Sequence, residues 1–386
     1  MQGIEVAYCD ACIAALIKVY SSLMELSPTE ALKKVRYGKN DTLGLDAIPE
    51  IIISEQINVF DQSAILITEE SDERTSDRWP TSSDPLLQPL MLISDPTDRS
   101  KQLKNFIESL GKDEISKSIS ELAGQDTVGI WEGMFEKPAS ITGATSSLTC
   151  IRKGVIIFTV IINYITGEIF VACEQGIVRF NIKLCTDNSE LEKINLNHIL
   201  TTGKRIAFSS CKTSCRNGED YLRFVTFLGK TGYEENFRDS MLFVGEAKKH
   251  LHHKEPGGPS RVLYLSELQK DPPIGFVVAN GEKITEWSHW LAFVKFAKTE
   301  QNKPALRLFE ISIEQPWTKD GILMSPPPCY SIFQREGDRS YLDLSRISNF
   351  RHPSKFRSML VIIPTDNERM TYTMRQHNYR EVTMCL

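Results

Sequence analysis

The residues best suited to chemistry lie in the stretch Met91-Leu92-Ile93-Ser94-Asp95-Pro96-Thr97-Asp98-Arg99-Ser100-Lys101. An apolar run meets two closely spaced aspartates, then a hydroxyl, then a segment with helical spacing. The pattern reads as a strand running into a helix N-terminus with carboxylates at the junction. Carboxylates are hard oxygen ligands suited to Mg²⁺, and the free N–H groups of a helix start receive anions. The expected chemistry is a divalent cation held against a phosphate.

Other acidic positions are candidates to join this junction. Asp46 falls just before or within the first turn of a helix that continues through Ile48-Pro49-Glu50-Ile51-Ile52-Ile53. An acidic residue there is also favourable with the helix dipole alone. Glu69 and Glu70 follow the short apolar strand Ser63–Thr68. They read either as a ligand pair or as a solvated acidic turn. Asp320 follows Pro316-Trp317-Thr318-Lys319. His250, His252 and His253 stand beside Pro and Gly, a composition of exposed loops rather than of metal sites. Cys9 and Cys12 form a C-x-x-C on an amphipathic pattern and read as small core residues. Cys211 and Cys215 have no second pair at zinc spacing.

The elements that must position these groups follow from periodicity. Residues 4–25 carry apolar side chains at helical spacing, and Ser27-Pro28 marks the cap and first turn of a short successor. Lys101 to Leu110 and Ile115 to Leu122 read as helices. From Ser140 to Val171 the pattern becomes β: strands over 147–152, 155–164 and 168–173, separated by turns at Gly154 and Gly167, with Gly176–Phe180 adding another. Beyond a polar stretch at 184–204, strands are expected at 205–209, 273–278 and 306–313, with 358–363 the last. A helix carrying Trp287 and Trp290 is expected at 286–299, both tryptophans reading as core. Helical character is expected at 218–228 and 245–251. The domains are placed at 1–183 and 205–386, with a loop-rich insertion near 211–272. Strands and helices in this order predict a layered α/β (α+β) protein.

The bulk numbers bound the function. The 386 residues are 41% apolar and 25% charged with a net charge of −5, which disfavours nucleic acid as partner. The nine cysteines are scattered and odd in number, a usage suited to a reducing cytoplasm. The N-terminus, with Glu5 and Asp10, does not read as a signal peptide, and the apolar run Val155–Ile162 is too short to span a bilayer. No membrane association is expected.

The order of the acidic sites resembles the inositol monophosphatase-like superfamily, which includes fructose-1,6-bisphosphatases and nucleotide 3′-phosphatases. Asp95-Pro96-Thr97-Asp98-Arg99-Ser100 is similar to its D-P-[I/L]-D-[G/S]-T motif, and Thr68-Glu69-Glu70-Ser71 to its G-E-E-S motif. Asp46 matches the aspartate of T-x-x-D, with Leu43 where the family has Thr. Trp317 and Asp320 resemble W-D-x-A-A-G, with Asp320 two residues late and Ala-Ala-Gly absent. The resemblance implies a five-layer αβαβα sandwich, two or three Mg²⁺ ions with Mn²⁺ as a substitute, and a homodimer. It implies that Glu69, Asp95 and the Thr97 carbonyl bind a first metal, and Asp95, Asp98 and Asp320 a second. Asp46 and Glu69 would assist a third. Ser100 with Glu69 would orient the attacking water, Glu70 standing in support. The phosphate would lie against Asp98, Arg99 and Ser100.

Two readings follow. One is a Mg²⁺-dependent phosphomonoesterase acting on a small phosphorylated metabolite such as an inositol, sugar or nucleotide phosphate. The other is a catalytically altered relative that binds or serves as a scaffold. Arg99, where the family keeps a small residue, divides them.

Overall fold

A computed structural model describes residues 1, 3–37, 42–69, 90–185, 188–208, 241–244, 275–279, 284–312, 317–319, 322–324, 333–342, 358–366, 368–376 and 379–384. Glu70, Asp320, Cys211, Cys215, the three clustered histidines, the helices expected at 218–228 and 245–251, and most of the 211–272 segment lie outside the described residues.

The chain opens with helix α1 (Ile4–Glu25), the short α2 (Pro28–Leu32) and α3 (Gly44–Phe60). Ser27 caps α2 in a reciprocal capping box with Glu30. Strand β1 (Ile65–Thr68) pairs parallel with β2 (Met91–Asp98), which leads into α4 (Ser100–Gly111). After short helices at Ile119–Ala123, Thr127–Phe135 and Ala139–Thr142 comes an antiparallel meander. Its strands are β3 (Thr145–Arg152), β4 (Val155–Asn163), β5 (Glu168–Cys173) and β6 (Gly176–Asn181). The expected polar stretch at 184–204 contains a helix at Leu196–Thr202. Strand β7 (Lys204–Ile206) then closes a seven-stranded sheet in sequential order from β1 to β7.

A second sheet gathers β8 (Met241–Val244), β9 (Gly275–Ala279), β10 (Leu306–Ser312), β15 (Ser358–Pro364) and β16 (Arg380–Val382) in the order β16-β10-β15-β9-β8. Between β9 and β10 runs helix α5 (Ile284–Phe296). Two hairpins, β11–β12 (Trp317–Lys319 with Ile322–Met324) and β13–β14 (Phe333–Glu336 with Arg339–Leu342), form separate two-stranded sheets. Residues 358–363 are not the last strand: α6 (Glu368–Gln376) and β16 follow. The polar composition of 365–380 hid them, because β16 has only three residues and draws its stability from pairing with β10.

The layers are visible in which side chains bury together. One face of the first sheet, including Leu92, Leu148 and Val160, packs on α1, α3 and α4. The other face, including Ile93, Ile161 and Phe170, packs on α5. The opposite side of α5 meets Leu306, Leu308, Leu360 and Ile362 of the second sheet. Alternate residues Phe309, Val361 and Ile363 are buried outside that cluster, on the far face, where Arg375 of α6 pairs with Glu381 of β16. The result is the αβαβα sandwich. Helix α1 is long and apolar enough to cross a membrane by composition, yet half of its most apolar stretch is buried in the first helical layer. Cys9 and Cys12 are fully buried there, and Trp290 is fully buried in α5.

Candidate active site

The predicted strand-to-helix junction is present, with one change of shape. Strand β2 does not stop at Asp95 but continues to Asp98, and its pairing with β3 is irregular between the two aspartates. Pro96 sits in that irregularity, which suits a residue unable to donate to the ladder. Asp95 faces Ser147 and Asp98 faces Thr145. Asp95 is 2% exposed and Thr97 is buried, while Asp98, Arg99 and Ser100 are half-buried.

Two hydrogen bonds fix the bulge. The Tyr164 hydroxyl donates to the Pro96 carbonyl at 2.9 Å, and Thr97 Oγ1 donates to the Leu45 carbonyl at 2.9 Å. The second bond joins the aspartate segment to the first turn of α3 and so brings Asp46 to it. The Leu45 carbonyl is available because its usual helical donor would be residue 49, and Pro49 has no N–H. Gly44 lets that turn lie close to α2, since a Cβ there would stand 2.5 Å from the Glu30 carbonyl oxygen. The buried Tyr164 phenol has its pKa raised, chiefly by burial and further by the charges of Asp95 and Asp46. Both carboxylates therefore lie within electrostatic reach of one hydroxyl.

Glu69 follows β1 and is half-buried. Because Thr68 pairs with Ser94 in a parallel ladder, Glu69 and Asp95 both follow the last pair of that ladder and lie at the same end of it. Arg99 takes the left-handed conformation, φ 66° and ψ 35°, at the N-cap position of α4, which its side chain does not cap. Burial lowers its guanidinium pKa, and the charge of Asp98 opposes that shift. Ser100 is the first helical residue.

The segment that resembles W-D-x-A-A-G does not open a helix. Trp317–Lys319 is a strand paired with Ile322–Met324, Lys319 opposite Ile322. The intervening sequence, Asp320-Gly321, is a strong two-residue hairpin signal, and the missing alanines take away the helix propensity. Among the described residues no three His, Cys, Asp or Glu side chains lie at metal-holding spacing. The oxygen donors present still suit Mg²⁺, which keeps several waters and takes only one or two carboxylates along with substrate phosphate. Near them the Thr145 hydroxyl, opposite Asp98, is buried with no hydrogen-bond partner among the described residues.

Sequence reasoning missed Tyr164 and Glu50. Tyr164 read as the end of a strand, and only the fold carries it to Pro96. Glu50 is fully buried one helical turn after Asp46, with the Tyr37 hydroxyl donating to it at 3.1 Å. The available signal was a charged residue inside the apolar run Ile48–Ile53, four positions from Asp46.

No protein-family model matches the chain, and no curated protein matches it. Among solved structures it is similar to CysQ from Bacteroides thetaiotaomicron, described as a bacterial member of the inositol monophosphatase family, at 13% identity. That match covers 80% of this chain and 89% of that one, with a TM-score of 0.42. The extragenic suppressor protein SuhB from Bartonella henselae is 13% identical over 96% of this chain and 99% of its own, TM-score 0.42. The fructose-1,6-bisphosphatase of Leishmania major is 9% identical over 96% and 92%, TM-score 0.39.

Proposed function

We propose that the chain is a Mg²⁺-dependent phosphomonoesterase of a small phosphorylated metabolite, acting at the end of β2. The observation that carries this reading is the buried Asp95, held by the Tyr164 and Thr97 anchors beside Asp46, with Glu69 at the same end of the β1–β2 ladder. A buried carboxylate with carboxylate neighbours is costly without a cation to compensate it. Asp95, Glu69 and the Thr97 carbonyl would hold Mg²⁺ or Mn²⁺, with waters and the substrate phosphate completing the coordination. The bound cation would lower the pKa of a water and neutralise the leaving oxygen. The chain's own part is to fix Asp95 and Asp46, to present the first N–H groups of α4 to the phosphate, and to orient a water through Ser100 and Glu69. The half-buried Arg99 adds a cation beside that helix start.

Phosphate release should be measured over inositol, sugar and nucleotide monophosphates with and without Mg²⁺, beside Asp95→Asn. Mg²⁺-dependent release lost in Asp95→Asn supports the reading, and release no greater than in Asp95→Asn refutes it.

A second reading is supported by Arg99 in a left-handed conformation at the helix start. There the same site binds a phosphorylated ligand without turnover. Calorimetric binding of a member of the panel with no phosphate release would establish it.

A further inference from the structure

The bulge in β2 changes which side chains share a face. Asp95 and Asp98 are three residues apart and would point to opposite faces of a regular strand. Their partners on β3, Ser147 and Thr145, are two apart and share a face. Directly opposed residues also share a face, so both aspartates lie with Ser147 and Thr145 on one side of the sheet. That side is the one covered by α5. Ile93, two residues before Asp95, and Ile161, opposite Ser147, both bury with the apolar residues of α5.

Thr145 opens β3 and is 0% exposed, and its hydroxyl has no hydrogen-bond partner among the described residues. A buried hydroxyl left unmade is costly, so its place needs a reason. Its neighbour on the other side, Asn163 of β4, is already committed. The Asn163 amide donates to the Ala139 carbonyl at 2.9 Å, and its oxygen accepts the N–H groups of Ile165 at 2.9 Å and Thr166 at 3.2 Å. Further along the same face Thr149 and Thr159 bond to each other at 2.8 Å. The orphan hydroxyl therefore falls at the carboxylate end of the face. Thr145 is the diagonal neighbour of Asp95, and such neighbours stand about 7 Å apart at Cβ. That gap is too wide for a direct hydrogen bond, and it suits a water held on a cation at Asp95, since Mg²⁺ keeps several of its waters.

We infer that Thr145 is a positioning residue for the cation proposed at Asp95, its hydroxyl holding one of that cation's waters; the inference rests on the cation-binding reading of Asp95. Calorimetric titration of the full chain with Mg²⁺, and urea unfolding without Mg²⁺, test it on wild type, Thr145→Val, Thr145→Ser and Asp95→Asn. Thr145→Val should bind Mg²⁺ about tenfold more weakly, the usual cost of losing an outer partner of a metal. Without Mg²⁺ it should unfold at no lower urea than wild type, because a methyl of the same shape replaces a hydroxyl that made no bond. Thr145→Ser keeps the hydroxyl and should keep most of the affinity. Wild-type Mg²⁺ affinity in Thr145→Val, or equal weakening in the valine and serine variants, overturns the inference and leaves the cation at Asp95 in place. Unfolding of Thr145→Val at lower urea without Mg²⁺ also overturns it, since the hydroxyl then has a partner inside the fold. Absence of Mg²⁺ binding in wild type, or equal binding in Asp95→Asn, removes the reading of Asp95 and the inference with it.

Discussion

Thr97 donates its hydroxyl to the carbonyl of Leu45 at 2.9 Å, and Leu45 is the residue whose helical hydrogen bond Pro49 removes. A proline inside a helix normally costs stability because a carbonyl is orphaned. Here the orphaned carbonyl latches the aspartate segment to α3. Thr97→Val, which keeps the shape and removes the hydroxyl, should cost about 1–3 kcal/mol, the penalty for a buried polar group left unmade. In a Pro49→Ala background the alanine supplies the missing N–H, so the same substitution should cost less. Denaturant unfolding of the four proteins in the cycle measures the difference, and equal costs would show that the two residues are not coupled.

Tyr164 forms the other anchor. Tyr164→Phe should lower stability by about 1 kcal/mol through loss of the hydrogen bond to Pro96. If Asp95 must be held in place for phosphate release, activity should fall well beyond that stability loss when assayed under conditions where the variant stays folded. A fall in activity no larger than the folded fraction explains would restrict Tyr164 to the core.

Arg99 is a non-glycine residue at positive φ at the start of α4. At φ 66° a Cβ is disfavoured by about 1–2 kcal/mol relative to glycine. Arg99→Gly should therefore be more stable than Arg99→Ala by about 1 kcal/mol, a comparison that cancels the lost guanidinium. The same pair separates charge from conformation in ligand binding: weaker phosphate binding in both variants assigns the effect to the guanidinium.

A pH effect follows from the clamp between the first and third helices. The Tyr8 hydroxyl donates to Asp61, which ends α3, and Ser63 adds two further hydrogen bonds. These bonds hold the Asp61 carboxyl below its ordinary pKa. A depressed folded pKa stabilises the protein above the unfolded value of about 3.9, and this stabilisation is lost as pH falls through the folded one. Wild type should lose its stability advantage over Tyr8→Phe below about pH 4. Melting temperatures of the two proteins from about pH 6 to about pH 3 provide the check, and a constant difference would argue against the clamp.

Mg²⁺ should raise the melting temperature if the carboxylates at the end of β2 bind it. At a hundredfold excess over its dissociation constant the gain is about 2.7 kcal/mol. The gain should vanish in Asp95→Asn, and an equal shift in both proteins would place the cation elsewhere.

Much of this protein was legible in the sequence because its signals are local. The strand entering α4, the helix cap at Ser27, the Gly-punctuated meander and the first-turn position of Asp46 each follow from a few adjacent residues. Tertiary structure decided what depends on distant partners. The extension of β2 past Asp95 requires β3 to pair with it, and the hold on Pro96 requires Tyr164 from the turn just after β4. The burial of Glu50 requires α3 to pack on its neighbours. The strand at 380–382 exists because β10 offers it an edge. Periodicity reports which face of an element is apolar, but it cannot say which carbonyl a proline frees or which hydroxyl from a distant strand will find it.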